Sequence, residues 1–283
     1  MVTVEWRIMA AESGAGTQAV ARALSLLVCF SDEHNELRVS ELSARTGLGQ
    51  STVSRMISSL ERLGFVAQDA RTGLYRLGPQ LVTLGSAALN SSFLFRAARQ
   101  VAQNLAHATG LGVNLAEFSD RQLFYLCNFE GAKSPKSFTM AGRTAPLHAT
   151  GMGKAILAEQ SKEYVDIYYD EGLANSYTPH TITRSSEMHK ALEEVRNRGY
   201  ATEIEELAFG RACVAAPIRG RSGEAVAALS VSGPLSELEP PARQQELSLM
   251  VIEAADELSV ALGFTMTRAP QPRMPLSVRG PAD

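Results

Sequence analysis

The sequence predicts an α+β protein of two domains joined by a connecting helix. Residues 38–58 contain two short helical patterns separated by a glycine, and two short strand patterns follow them. From residue 93 onward, helical and strand patterns alternate in an order that is typical of an α+β domain with an antiparallel sheet. A length of 283 residues suits two domains with separate cores. These observations predict the fold class before any motif is considered.

The first predicted helix begins near Thr17. Apolar residues recur along it at three- and four-residue spacing, which places them on one face of a helix. They are Val20, Leu24, Leu27 and Val28. We expect this face to complete the core of a small N-terminal domain.

Residues 38–57 show the pattern of a helix-turn-helix. In its first helix, Ser40 is a residue type that caps helices, and Leu42 and Ala44 are the apolar positions. Gly47 can adopt the left-handed conformation that ends a helix and turns the chain. The second helix carries an apolar stripe that predicts its buried side: Val53, Met56, Ile57, Leu60 and Leu63.

The other side of this second helix is polar from its first turn onward. Its hydroxyls, amide and guanidinium groups are suited to phosphates and base edges, so the pattern predicts a recognition helix. The residues predicted to contact DNA are Gln50, Ser51, Thr52, Ser54, Arg55, Ser58 and Arg62. The alternative interpretation is an ordinary helical hairpin whose Ser/Thr face is only solvated.

A β-hairpin, or wing, is predicted after Gly64, the residue that ends the recognition helix. Strand patterns cover residues 65–68 and 74–77, and a polar turn lies between them. Arg71 in this turn is a further predicted DNA contact. A hairpin at this place favours a winged helix-turn-helix, which we assign to residues 16–78.

Residues 79–92 are predicted to form the connecting helix. Gly78 and Pro79 mark its start. Its apolar residues keep helical spacing, and they are Leu81, Leu84, Ala88 and Leu89. Such a stripe would be exposed in a single copy, so pairing with a second copy is one expectation. Packing against the protein's own wing is the other.

Residues 93–265 are predicted to be the α+β domain. Helices are expected near residues 93–109, 150–159, 186–198 and 241–262, and strands near residues 112–118, 122–128, 212–218 and 225–232. Residues 266–283 contain four prolines and are predicted to be a disordered tail.

Composition limits the classes of function. With 45% hydrophobic and 20% charged residues, the chain has the composition of a soluble globular protein. No apolar run reaches the roughly 18 residues of a membrane-spanning helix, and the first residues lack an apolar signal core, so a cytoplasmic location is expected. Cys29, Cys127 and Cys213 are odd in number and lack metal-ligand spacing, which argues against a disulfide framework.

The net charge of −3 is unevenly distributed. Residues 16–92 contain seven basic and six acidic side chains, whereas residues 93–265 contain sixteen basic and twenty-one acidic side chains. The acidic excess therefore lies in the second domain. Because a nearly neutral first domain gains only modest DNA affinity from charge alone, a dimer that presents two copies is expected.

Four segments together resemble the IclR family of transcriptional regulators, and the resemblance covers about residues 16–264. They are LSARTGLGQSTVSRMISSLERLGFV (42–66), GRTAPLHATGMGKAILA (142–158), RGYATEIEELAFGRACVAAPI (198–218) and VAALSVSGP (226–234). The resemblance implies a winged helix-turn-helix, a linker helix and a GAF-like effector-binding domain. It also implies dimers or dimers of dimers on double-stranded operator DNA. Members respond to small molecules, often carboxylic acids or aromatic catabolites, and act as repressors or activators.

The resemblance also places the effector-binding positions of the family on this chain. They are Ala145, Gly151, Met152, Glu203, Cys213, Ser230 and Ser232. Many relatives carry aspartate where this chain has Glu203. Because glutamate reaches further, the size of the pocket and its ligand can differ here.

The residues themselves agree with a small polar ligand. The segment from Thr150 to Gly153 opens a helix with few side chains in the way, so its backbone N–H groups could bind a carboxylate. Ser230 and Ser232 are two apart on a strand and so face one side of the sheet. Glu203 would repel an anion unless it is protonated or accepts a hydrogen bond from a ligand hydroxyl, which favours a hydroxylated or mixed-polarity effector.

Structural roles are the alternative for each of these residues. The glycines could only allow tight packing, and the serines could bond the backbone. Glu203 could cap a turn or pair with Arg143 or Arg211.

An enzyme is not predicted. Residues 151–154 look like the end of a phosphate-binding loop, but His148 stands where that motif needs a glycine and Ala155 where it needs Ser or Thr. Nothing beside Cys213 or His148 resembles a nucleophile site, and the other histidines are scattered, so neither a cofactor nor a metal is expected. The alternative is a ligand-binding protein, or an enzyme with a GAF-like domain, whose winged helix makes only protein contacts.

Overall fold

The computed structural model describes residues 15–134, 140–238 and 241–265. They form two compact units, the first ending at Phe93 and the second beginning at Leu94. The tail predicted to be disordered, residues 266–283, lies outside the described residues.

The first unit is a winged helix-turn-helix followed by one further helix, which confirms the predicted fold. Its elements are α1 (Ala15–Val28), α2 (Val39–Thr46), α3 (Gln50–Arg62), β1 (Val66–Gln68), β2 (Tyr75–Leu77) and α4 (Pro79–Ser91). The two strands pair antiparallel, and Leu37 bridges to Tyr75 beside them. The core of this unit comprises Leu26, Phe30, Leu37, Leu42, Val53, Ile57, Leu60, Val66 and Tyr75.

The predicted core face of α1 is wrong for three of its four residues, whereas the fourth, Leu27, is half-buried against the core. Val20, Leu24 and Val28 are 60%, 54% and 55% exposed, whereas Leu26 is fully buried. Two residues along an α-helix correspond to about 200° of rotation, so Leu26 lies on the opposite side from Leu24. Both sides of α1 are apolar, and only one of them is covered by the core of this unit.

Three further local predictions are wrong in the helix-turn-helix. Ser40 does not begin α2, because Glu41 accepts a hydrogen bond from the backbone N–H of Arg38 at 2.7 Å and the helix starts at Val39. Ala44 is exposed, and Leu63 is 65% exposed because it follows the last turn of α3. The turn itself is confirmed, since Gly47 has φ = +70° and caps α2.

The start of α4 is anchored against the end of α3. Gly78 donates its N–H to the carbonyl of Phe65 at 2.8 Å, and Gln80 donates to the carbonyl of Gly64 at 3.1 Å. A Cβ at Gly78 would lie 2.2 Å from the carbonyl oxygen of Gly64, so no side chain fits there. No residue of α4 is buried, which contradicts the packing of its apolar stripe against the protein's own wing.

The second unit is an α+β domain with one antiparallel sheet. Its elements are α5 (Phe93–Thr109), β3 (Gly112–Ser119), β4 (Gln122–Phe129), β5 (Thr144–Pro146), α6 (Gly151–Ala158), α7 (Lys162–Asp170), α8 (Ser185–Arg198), β6 (Ala201–Ile204), β7 (Arg211–Arg219), β8 (Ala225–Pro234), α9 (Leu235–Leu238) and α10 (Pro241–Ala261). Four of these elements were not predicted from the sequence: β5, α7, β6 and α9. Three of these four have only three or four residues, too few for a periodic pattern.

The six strands are ordered β5-β4-β3-β8-β7-β6, and every neighbouring pair is antiparallel. The strands β7 and β8 are buried along nearly their whole length, because both α6 and α10 pack on them. This packing places the first turn of α6 against the centre of the sheet. Among the described helices, none combines the length and apolar character needed to cross a membrane.

Candidate nucleic-acid interface and effector cavity

The polar side of α3 is open to solvent because its apolar side is buried. Val53, Ile57 and Leu60 lie in the core, which turns the remaining side chains outward. Every predicted contact on this helix is exposed except Thr52, which is half-buried: Gln50, Ser51, Ser54, Arg55, Ser58 and Arg62. The helix therefore presents the surface that the sequence predicted.

Arg71 lies in the turn of the wing and is exposed. The Asp69 carboxylate holds this turn, since Oδ1 accepts the backbone N–H groups of Arg71 and Thr72 at 2.8 and 2.9 Å. The hydrogen bond from Thr72, followed by that from Arg71, lowers the pKa of Asp69. The turn thus carries a cationic side chain on a backbone that is held by a carboxylate.

The second unit contains a cavity of 140 Å³ between the sheet and the start of α6. Its walls come from five strands, from the first turn of α6 and from the loops beside them. The lining residues are Gly112, Asn114, Tyr125, Asn128, Phe129, Glu130, Ser134, Met140, Thr150, Gly151, Met152, Glu203, Leu207, Ala208, Arg211, Ala212, Cys213, Ser230 and Ser232.

The register of the sheet explains the polar floor of this cavity. One cross-strand row runs from Asn128 through Asn114 to Ser230. The next row on the same face runs from Gly112 through Ser232 and Cys213 to Glu203. Residues two apart on a strand share a face, so the two rows together form a continuous polar patch on an otherwise apolar sheet.

Six of the seven predicted effector positions line this cavity: Gly151, Met152, Glu203, Cys213, Ser230 and Ser232. Ala145 does not line it. It pairs with Leu123 on the edge strand β5 and is buried in the hydrophobic core of the unit. Its position on the chain matches the family pattern, but the register of β5 turns its methyl group into the core.

Sequence reasoning missed several lining residues, above all Asn114, Asn128 and Arg211. The asparagines are polar residues in strands whose other members are mainly apolar, which is the one local signal that could have revealed them. That signal does not say which strands are neighbours.

The first turn of α6 packs tightly against its surroundings. A Cβ at Gly151 would lie 2.6 Å from the Sγ of Cys213, and one at Gly153 would lie 2.1 Å from the carbonyl oxygen of Leu147. The N–H of Gly153 donates to Thr150 Oγ1 at 3.0 Å, which caps the helix. Both glycines therefore allow close packing, and Gly151 in addition lines the cavity.

Glu203 caps the loop that follows β6. Its Oε1 accepts the backbone N–H groups of Glu206 and Leu207 at 2.7 and 3.2 Å. Burial raises the pKa of Glu203, and the two N–H groups act in the opposite sense. Of the structural roles considered above, the capping one is found.

A buried ion pair supports the same loop. Lys154 on α6 donates to Glu206 Oε1, and the two side chains are only 6% and 10% exposed. The hydroxyls of Thr178 and Thr181 donate to the carbonyls of Glu205 and Glu206, both at 2.6 Å. Lys154 is therefore engaged inside the protein, which removes the remaining likeness to a phosphate-binding loop.

His148 is a packed, hydrogen-bonded histidine. Its Nε2 donates to the carbonyl of Asn175 at 2.8 Å, and its Nδ1 lies 3.0 Å from the Tyr168 hydroxyl oxygen, within hydrogen-bonding distance. Burial lowers the pKa of His148 and strongly raises that of the Cys213 thiol, which opposes a thiolate nucleophile. Within the described ranges, no group of three or more His, Cys, Asp or Glu side chains could hold a metal ion.

Both structural units match domains of known proteins. Residues 19–70 match the IclR helix-turn-helix domain, and residues 86–260 match the C-terminal domain of bacterial IclR transcriptional regulators. The acetate operon repressor of Salmonella typhimurium is 33% identical over 251 residues, which cover 88% of this chain and 91% of the repressor.

Solved structures agree in fold. The Thermotoga maritima IclR crystal structure superposes with a TM-score of 0.76 at 27% identity, covering 88% of this chain and all of that one. An IclR homologue from Microbacterium hydrocarbonoxydans, complexed with 4-hydroxybenzoate, has a TM-score of 0.74 at 21% identity and covers 86% of this chain and 98% of its own, which shows a shared fold. With matches that span both units, the chain belongs to the IclR family of transcriptional regulators, which are not enzymes.

Proposed function

We propose that this regulator binds a specific operator in double-stranded DNA through α3 and the wing and responds to a small organic acid bound in the second unit. In this proposal residues 16–78 bind DNA, residues 79–92 form the linker and residues 93–265 bind the effector. The protein acts in the cytoplasm, where its operator is accessible. The observation that carries the proposal is the polar-floored cavity, which lies in a different unit from the exposed face of α3.

The size of the cavity supports a small effector. Its 140 Å³ is close to the roughly 150 Å³ of an apolar cavity that holds one benzene molecule. The seryl hydroxyls favour an anionic group, while the Glu203 carboxylate at the other end of the row favours a ligand hydroxyl. A short hydroxylated carboxylic acid satisfies both ends.

The exposed apolar faces of α1 and α4 support self-association. Val20, Leu24 and Val28 on α1, with Val82 and Leu84 on α4, are 48–72% exposed. Large exposed apolar patches commonly mark protein–protein interfaces. We propose that a homodimer, alone or as a dimer of dimers, covers these faces and presents two copies of α3 to DNA. The variant Leu24→Glu should lower the oligomer mass measured by light scattering, whereas unchanged mass would exclude this face.

The DNA-binding step is tested with an operator selected by the protein itself from a random duplex library. Fluorescence anisotropy then compares the wild type with Arg55→Ala and with Arg99→Ala, which removes an exposed arginine from the second unit. We expect a loss for Arg55→Ala alone. Equal affinities for all three proteins would remove Arg55 from the interface.

The effector step is tested by thermal shift, since a ligand that binds only the folded state raises its melting temperature. The panel consists of short aliphatic hydroxy acids, their unhydroxylated counterparts and 4-hydroxybenzoate. A binding acid should change operator affinity by about 5- to 150-fold, the usual range of allosteric coupling. Operator affinity that stays the same at saturating acid would reject effector control by this cavity.

A further inference from the structure

We infer that Asn114 is a positioning residue for effector selection, because its side-chain amide orients the hydroxyls of Ser230 and Ser232 to donate to a carboxylate in the cavity. This inference rests on the proposed effector site. It adds a residue to the seven effector positions that the resemblance placed on this chain, and it states which end of the cavity takes the charge.

The geometry places one amide group between two hydroxyls. Asn114 lies at the centre of the cross-strand row that runs from Asn128 to Ser230, directly opposite Ser230. Ser232 lies two residues beyond Ser230 on β8. Asn114 Nδ2 donates to Ser232 Oγ at 3.0 Å and to Ser230 Oγ at 3.4 Å. The serines are 9% and 2% exposed, so bulk water does not readily replace these partners.

The direction of these hydrogen bonds determines what the serines offer to a ligand. A hydroxyl has one proton to donate and two lone pairs that accept. When Oγ accepts from the amide, its proton must point elsewhere, and within the described residues no acceptor is found for it. Since both hydroxyls line the cavity, they present two donors to whatever occupies it.

In the cross-strand row that runs from Gly112 to Glu203, the Glu203 end differs in chemistry from the Ser232 end. Glu203 and Ser232 are separated by Cys213, and neighbouring strands lie about 4.8 Å apart, so roughly 10 Å separates the two backbones. Oε1 of Glu203 is already occupied by the N–H groups of the loop. A carboxylate is therefore accepted at the serine end, away from the buried negative charge.

The substitution Asn114→Asp tests this orientation. Aspartate has nearly the same shape as asparagine, but it accepts hydrogen bonds where the Nδ2 group donates them. The two seryl protons would turn toward the introduced carboxylate, and its charge would repel the carboxylate of a ligand. The matched control is Asn197→Asp, which adds the same charge at an exposed position of α8 that does not line the cavity.

The experiment is calorimetric titration of the full-length protein with acetate, glycolate, lactate and 3-hydroxybutyrate, and with the corresponding amides. We expect Asn114→Asp to weaken binding of the acid that the wild type prefers by roughly tenfold or more, and Asn197→Asp by less than about threefold. The preference for the acid over its amide should fall in Asn114→Asp only. If the role of Asn114 were purely structural, the affinities for the acid and for its amide would fall together.

The outcomes distinguish failure of the proposed effector site from failure of the proposed role of Asn114. If none of the acids binds the wild-type protein, the effector class is wrong and the inference falls with it. If an acid binds and Asn114→Asp keeps its affinity within about twofold, the effector site stands, but the side chain at position 114 does not orient the serines and the inference is overturned. If Asn114→Asp does not fold, the double variant Ser230→Ala/Ser232→Ala must show the same loss of acid preference. Retention of that preference would also overturn the inference.

Discussion

Removing the cation from the buried Lys154–Glu206 pair should strongly destabilise the second unit. In Lys154→Met the shape of the side chain is largely kept, but Glu206 remains as a buried carboxylate whose Oε2 already has no hydrogen-bond partner. Breaking such a pair by removing one partner costs about 3–5 kcal/mol of unfolding free energy. For a unit of this size that corresponds to a melting temperature lower by roughly 6–20 °C, at about 2–4 °C per kcal/mol.

The loss should depend on pH in a defined direction. Burial is the largest influence on Glu206 and raises its pKa, whereas Lys154 acts in the opposite sense, so its removal raises that pKa further. A carboxylate whose folded-state pKa is raised costs stability above that pKa. The cost disappears as the pH falls through the folded value toward the unfolded value of about 4.3. The deficit of Lys154→Met should therefore shrink on acidification.

Differential scanning calorimetry of the full-length protein near neutral pH and near pH 5 measures this deficit. Lys162→Met, which removes an exposed lysine from α7, is the matched control. The double variant Lys154→Met/Glu206→Gln should recover part of the loss because no buried charge remains. If Lys154→Met melts within about 1 °C of Lys162→Met at neutral pH, the pair does not stabilise the fold and the reasoning fails.

Three other substitutions test separate parts of the structure. Leu26→Ala should destabilise the first unit by about 2–5 kcal/mol in chemical unfolding, whereas Leu24→Ala should cost under about 1 kcal/mol in monomer-favouring dilution, and equal losses would contradict the assignment of the core face. Gly151→Ala places a methyl group against the neighbouring thiol and in the cavity, so acid binding in calorimetry should fall while operator affinity without acid is kept; undiminished acid binding would show that the acid binds outside this cavity. Arg55→Ala should weaken operator binding by about 1–3 kcal/mol in anisotropy if it contacts a base, with Arg99→Ala unchanged.

The sequence was most informative where one face of an element differs sharply from the other. Val53, Ile57 and Leu60 repeat on a helix that is otherwise polar, so both the buried and the exposed side of α3 could be predicted. In α1 the same reasoning failed, because apolar residues occur on two sides and periodicity alone does not say which side the core covers. Leu26 is inside and Val20 outside for reasons of packing that the pattern does not contain.

In the candidate site too, residues related by local spacing could be predicted, whereas residues brought together only by strand pairing could not. Ser230 and Ser232 could be placed on one face because their spacing is local. Asn114 could not, since its partners lie 116 and 118 residues away and meet it only through the pairing of β3 with β8. Ala145 shows the converse error, in which a position taken from the family pattern is turned into the core by the register of its strand.

The contact between Gly78 and the carbonyl of Gly64 has a practical consequence for protein engineering. A boundary drawn at residue 78 would cut the chain at the point where the start of helix α4 is hydrogen-bonded to Gly64 and Phe65, the residues that follow α3. A hybrid regulator that joins this DNA-reading module to a foreign sensor should therefore keep the chain intact through Ser91, so that the graft inherits a spacer already fixed in direction. Insertions or deletions between the wing and Pro79 would break the hydrogen bonds that hold the start of α4, so the direction of this helix would no longer be fixed in the hybrid.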